Sequence, residues 1–148
     1  MRQRPDQMFD LVADVERYPD FVPLCEGLRV RSREEGPDGA TVLVAAMQVG
    51  YRAIRETFTT RVTLDRPRLT ITAEYVDGPF RHLLNTWRFH PAGTGCEVEF
   101  DIDYEFRSRA LSLLMGAVFD KAFRKFTDAF EARADLVYAR RAPAADAS

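Results

Sequence analysis

The side chains with the most chemical capacity in this 148-residue chain are few and scattered. His82 falls just after a turn and His90 at the outward end of a strand. Neither is spaced with Ser, Cys or a carboxylate as a triad or a metal site would require. Cys25 and Cys96 stand apart, with no CxxC and no neighbouring histidine. A metal site or redox pair is therefore not expected, and both read as buried thiols in a reducing cytosol. There is no Walker loop and no GxGxxG. No catalytic residue and no metal ligand is assigned, and no cofactor is required.

Two features stand apart. Glu56 lies on the apolar register of its strand, between Ile54 and Phe58. A carboxylate facing the interior needs a hydrogen-bonding partner or a raised pKa. It reads as a headgroup-binding or acid–base residue, or as a buried Glu paired with Arg or Tyr or displaced by a register shift at Gly50; the second reading is favoured. Lys121, Arg124 and Lys125 form a basic patch on a helix flank. It reads as a surface for anionic lipid headgroups or RNA, or as a solvated face interspersed with Asp120 and Asp128; again the second is favoured.

The elements that must position these groups follow from hydrophobic period. Pro5-Asp6-Gln7 followed by Met8, Phe9, Leu11 and Val12 predicts a short helix with proline in its first turn. Six strands are predicted, at Leu28 to Arg33, Thr41 to Val49, Ile54 to Leu64, Leu69 to Tyr75, Leu83 to His90 and Val98 to Phe106. The loop at Gly36-Pro37-Asp38-Gly39 joins the first two as a hairpin, and Gly50 predicts a bulge or tight bend. In the last strand, Val98, Phe100, Ile102, Tyr104 and Phe106 alternate with Glu97, Glu99, Asp101, Asp103 and Glu105. This predicts a solvated acidic sheet face, with Arg55, Arg61, Arg68 and Arg88 as charge partners. Phe119, Phe123, Phe126 and Phe130 then line one side of a single long helix from Ser108 to about Arg140, roughly 45 to 50 Å long. Strands joined by short turns, with helices at each end, make an α+β antiparallel meander.

Composition sets the outer bounds. With 46% hydrophobic and 30% charged residues, this is an ordinary globular chain, one domain over residues 1–140 with a disordered tail at 141–148. A net charge of −2 gives no global attraction for DNA, RNA or anionic lipid. No apolar run reaches the ~18 residues that span a bilayer, and no signal-peptide pattern opens the chain.

Several spaced motifs carry a family resemblance: Val15-Glu16-Arg17-Tyr18-Pro19-Asp20-Phe21-Val22-Pro23-Leu24-Cys25, Asp77-Gly78-Pro79-Phe80, Leu84-Asn85-Thr86-Trp87-Arg88-Phe89, Tyr104-Glu105-Phe106-Arg107-Ser108 and Ala129-Phe130-Glu131-Ala132-Arg133-Ala134. Together, over residues 5 to 138, they resemble the coenzyme-Q-binding family of START-like domains. The resemblance implies a helix-grip (START/Bet v 1-like) fold, in which a curved antiparallel sheet wraps the C-terminal helix around a hydrophobic tunnel. It implies non-enzymatic binding of ubiquinone or a related isoprenoid lipid, in support of respiratory electron transport or quinone biosynthesis. A cytoplasmic protein in transient peripheral contact with the inner membrane is expected. Bacterial members are also labelled RatA-like toxins, which bind the ribosome and block subunit association, and others polyketide cyclases. Two departures matter. Leu24 stands where the family usually has Trp, and Met1 to Arg4 leave no room for the strand that family members carry before the first helix. Either the start codon was placed late, the favoured reading, or the strand is absent and sheet edges are exposed.

On this reading Phe119 and Phe123 of the helix, with Phe58, Ile71, Tyr75, Trp87 and Phe89 of the sheet, line the cavity. Phe80 and Leu24 lie near its opening, a placement that the resemblance implies.

Overall fold

Six alternating segments make six strands in a computed structural model that describes residues 2–139. They are β1 (Cys25–Glu35), β2 (Thr41–Tyr51), β3 (Ile54–Asp65), β4 (Thr70–Asp77), β5 (Phe80–Ala92) and β6 (Gly95–Phe106). All neighbours are antiparallel, and the sheet runs in chain order from β1 to β6. The predicted helix end at Arg140 and the predicted tail lie outside the described residues. Within them no strand precedes the first helix, so β1 and β6 are the two edges.

Helices cover one face. α1 (Pro5–Ala13) starts at proline and buries Met8, Phe9 and Val12. A 3-10 turn, Val15–Asp20, then buries Val15 and Tyr18. The predicted single long helix is in fact two, α2 (Arg109–Arg124) and α3 (Phe126–Ala139). The interruption is the single residue Lys125, whose N–H reaches back three residues to the Ala122 carbonyl at 3.1 Å. The ladder resumes with Ala129 N–H to the Lys125 carbonyl at 2.9 Å. A tightened turn aligns residues three apart, so Phe123 and Phe126 both face the sheet, 5.0 Å from Tyr104 and 5.8 Å from Phe100. A sheet gripping helices on one face is the α+β, helix-grip arrangement implied by the resemblance.

The opposite face carries the acidic row of β6. Arg88 pairs with Glu99 (3.1 Å) and Asp101 (3.7 Å), His82 with Asp103 (3.2 Å), and Arg81 with Glu105 (4.0 Å). Of the four arginines expected there, only Arg88 arrives. Arg55 pairs with Glu26 and Arg68 with Asp65, and no ion pair of Arg61 is found among the described residues. The reason is topological: β6 is an edge and touches only β5, so side chains of β3 are too many strands away. These are surface pairs, each contributing at most about 1 kcal/mol, and they leave a charged edge that resists strand addition.

Gly50 does not break β2. The strand runs through it, and the bend comes at Arg52, with φ of +57°. Glycine here leaves room for the Glu26 carboxylate: a Cβ would lie 2.4 Å from it, and the exposed Glu26 side chain would have to swing aside. The Gly50 N–H also reaches the Leu24 carbonyl at 3.0 Å, which ties the entry of β1 to β2.

Candidate ligand-binding cavity

Between the helices and the inner sheet face lies one partly open cavity of about 90 Å³. Its floor comes from alternate residues of β2 to β6, the positions that period two sends to one face. Its roof comes from Phe119, Ala122 and Phe123 of α2 and from Phe126 and Phe130 of α3. At the side, Tyr18, Pro23 and Leu24 close the wall between the 3-10 turn and β1. Leu24 holds a φ of +67°, a left-handed conformation that costs a non-glycine residue roughly 1 kcal/mol. The Gly50 hydrogen bond holds that backbone in place.

Six of the nine residues expected at the cavity are on its wall: Leu24, Phe58, Ile71, Trp87, Phe119 and Phe123. Tyr75, Phe80 and Phe89 are not among the lining residues. Phe89 stacks beside Trp87 at 6.2 Å and meets Phe9 of α1 edge-on at 6.0 Å, inside the closed core. Tyr75 turns its hydroxyl to accept the Phe80 N–H at 3.2 Å. Phe80 lies at no opening; it is 0% exposed, the hub of a cluster with Phe58, Tyr104, Phe106 and Phe119. Simple alternation would send it to the outer face. A one-residue bulge between Phe80 and His82 returns it to the inside.

Glu56 keeps the inward register, paired with Val49, but it is half-exposed and is not a lining residue. The buried-carboxylate reading therefore does not hold, because water reaches the strand end where it sits. Lys121, Arg124 and Lys125 are exposed, and Arg124 pairs with Asp120 at 3.0 Å.

Of the wall residues not expected from the sequence, Thr60 and Asn85 are polar side chains on the inward face of the sheet. Both share the inward register of residues that were recognised, Phe58 and Val62 in one strand, Trp87 and Phe89 in the other. That shared register was the available signal. Trp87 donates its indole N–H to the Asn85 Oδ1 at 3.0 Å, and Asn85 Nδ2 donates to the Asp101 carbonyl at 2.9 Å. The Tyr18 hydroxyl donates to the Val12 carbonyl at 2.5 Å, and burial pushes its pKa well above the usual tyrosine range. Burial likewise pushes the Cys25 thiol up to about 11 and raises that of Cys96, and neither is a lining residue. Among the described residues, no group of three or more His, Cys, Asp or Glu is placed to hold a metal, and no helix is long and apolar enough to cross a membrane.

The wall is thus an apolar surface with few polar atoms, suited to holding a hydrophobic molecule. Comparisons with known proteins agree with that geometry. The ribosome association toxin RatA of Escherichia coli strain K12 is 37% identical over 137 residues, covering 92% of this chain and 83% of its own. The mitochondrial coenzyme Q-binding protein COQ10 homolog B of Xenopus laevis is 34% identical over 141 residues, covering 92% of this chain and 55% of its own. The solution structure of the 18 kDa protein CC1736 from Caulobacter crescentus superposes with a TM-score of 0.75 at 38% identity, covering 94% of this chain and 93% of that one. Residues 1–131 match the model of one family along nearly the whole fold described above, and the chain belongs to it: polyketide cyclase / dehydrase and lipid transport.

Proposed function

We propose that this protein is a non-enzymatic carrier that binds ubiquinone or a related isoprenoid lipid, in support of respiratory electron transport or quinone biosynthesis. It would work from the cytoplasm, with transient contact at the inner membrane. The observation that carries this reading is the apolar wall between helix and sheet, with aromatic rings on both sides. An isoprenoid tail offers only apolar area, and each buried CH₂ contributes roughly 0.8 kcal/mol. A relative that bears a coenzyme Q-binding name supports the choice of lipid. The position of Glu56 away from the wall speaks against the cyclase reading, in which it would be the base.

The test is mass spectrometry of an organic extract from protein purified out of quinone-producing cells, beside a Phe123→Asp control. Stoichiometric quinone with the unmodified protein alone is the expected result. A folded Phe123→Asp variant that retains lipid at full occupancy would overturn the assignment of the wall.

A second reading has its own observation: relatives at 37% identity are named ribosome association toxins. Under it, reversing the charges of exposed Lys121, Arg124 and Lys125 would abolish an effect on ribosome profiles in sucrose gradients, and cavity substitutions would not.

A further inference from the structure

The wall carries hydrogen-bonding side-chain atoms at Tyr18, Thr60, Asn85 and Trp87. The hydroxyl proton of Tyr18 and the indole proton of Trp87 are already spent, on the Val12 carbonyl and on Asn85 Oδ1. Thr60 and Asn85 differ. Thr60 is only 8% exposed, and its hydroxyl has no hydrogen-bond partner among the described residues. The Thr60 oxygen is not among the fully buried unpartnered side-chain atoms, so its unused hydrogen-bonding capacity opens onto the cavity that Thr60 lines. Asn85 is held at both ends of its amide, which fixes its orientation and leaves one N–H and one lone pair in reserve.

Register places the two together. Thr60 pairs with Tyr75, while Ala73 pairs with Val62 on one side and with Asn85 on the other. Thr60 and Asn85 therefore stand on a diagonal across β4, two strand spacings sideways and two residues along, roughly 12 Å apart at the backbone. On the intervening strand Tyr75 stands beside Thr60 and Ala73 beside Asn85, and the small Ala73 side chain keeps the floor open at the Asn85 end. We propose that Thr60 and Asn85 form the polar seat of the cavity, donating hydrogen bonds to carbonyl oxygens on the ring end of an apolar ligand that enters ring first. At about 90 Å³ the cavity is smaller than the ~150 Å³ engineered cavity that takes benzene. Seating the ring therefore requires the wall to expand, and the tail follows the apolar lining toward the open side.

This inference rests on the lipid-carrier reading, and the experiment separates the two. Calorimetric titration would use a decyl-substituted 1,4-benzoquinone and, as a probe of equal tail without oxygen, decylbenzene. The native protein is expected to bind the quinone about tenfold tighter, and Thr60→Val to remove most of that margin while leaving decylbenzene unchanged. Thr60→Ser, which keeps the hydroxyl, retains the margin. Equal affinity for both probes, or a margin untouched in Thr60→Val, would overturn the polar seat and leave the carrier reading standing. No binding of either probe by folded protein would overturn both.

Discussion

The α3 and α2 ends of the covered face use the same amphipathic signal and arrive at different results. Around α3 the packing is closed. Phe130 and Ala134 are fully buried, and the Phe130 ring meets Tyr18, Phe21 and Trp87 edge-on at 4.9 to 5.3 Å. Tyr138 donates its hydroxyl to the Gln7 carbonyl at 2.8 Å, and Gln3 Nε2 donates to Asp135 at 3.0 Å. The hydrogen bond from Gln3, with Arg2 beside it, holds the Asp135 carboxyl below its usual range. Around α2 the inner side is buried at Met115 and Phe119, yet Leu113 and Leu114 are 81% and 64% exposed. The helix there is a cover laid over the cavity. α3 anchors and, through Phe126 and Phe130, shares in the roof that α2 forms; the change in packing falls near Lys125.

If that division is right, substitutions should sort by end. Phe130→Ala should have the largest effect, about 3–5 kcal/mol in urea-induced unfolding, because it empties the closed core. A loss under about 1 kcal/mol would mean that α3 is no anchor. Phe123→Ala, half-exposed beside the cavity, should cost less than half as much. Equal losses at the two positions would erase the distinction. Gly78→Ala tests the sheet beneath α2: φ is +143°, and a Cβ would sit 2.6 Å from the Phe58 Cβ and 2.9 Å from its Cα. A loss above about 1 kcal/mol is expected, since both strain and overlap oppose the change.

The closed end also predicts a pH dependence. Burial raises the folded-state pKa of Cys25 from 9.0 to about 11. As pH rises through 9 the unfolded chain ionises first, so this contribution to stability is full below 9 and is lost as pH approaches 11. Cys25→Ala should flatten the stability profile across that window; an unchanged slope would show that the thiol is more accessible than its place in the core implies. The smallest effect belongs to the outer side of α2. Leu113→Ser and Leu114→Ser should each change stability by less than about 0.5 kcal/mol, and a larger loss would reveal contacts that the exposed positions do not show.

Much of this division was legible beforehand. Alternation located the later strands, β-formers flanking a turn located the first two, and the phenylalanine spacing marked the helical side that faces the sheet. Strand period, however, fixes only which face a residue takes. It does not tell how far along the face α1 packs, and so Phe89 was assigned to a cavity when Phe9 had already filled that place. Phe80 was put near an opening on the resemblance alone; the bulge that turns it into an aromatic hub is not legible in strand period. Thr60 and Asn85 were overlooked because a polar residue on an apolar register carries little weight until its neighbours are known. Glu56, more conspicuous in the sequence, proved to sit where water reaches it.

By itself, the sequence determined the order of elements, the face that each strand turns inward and the acidic character of the outer edge. These depend on local period and on neighbours a few residues away. Only the tertiary structure decided which inward residues meet helix and which meet empty space, since that depends on the distance between two layers whose contacts join residues far apart in the chain. A wall with two hydrogen-bonding groups on a diagonal exists only once three strands are in register.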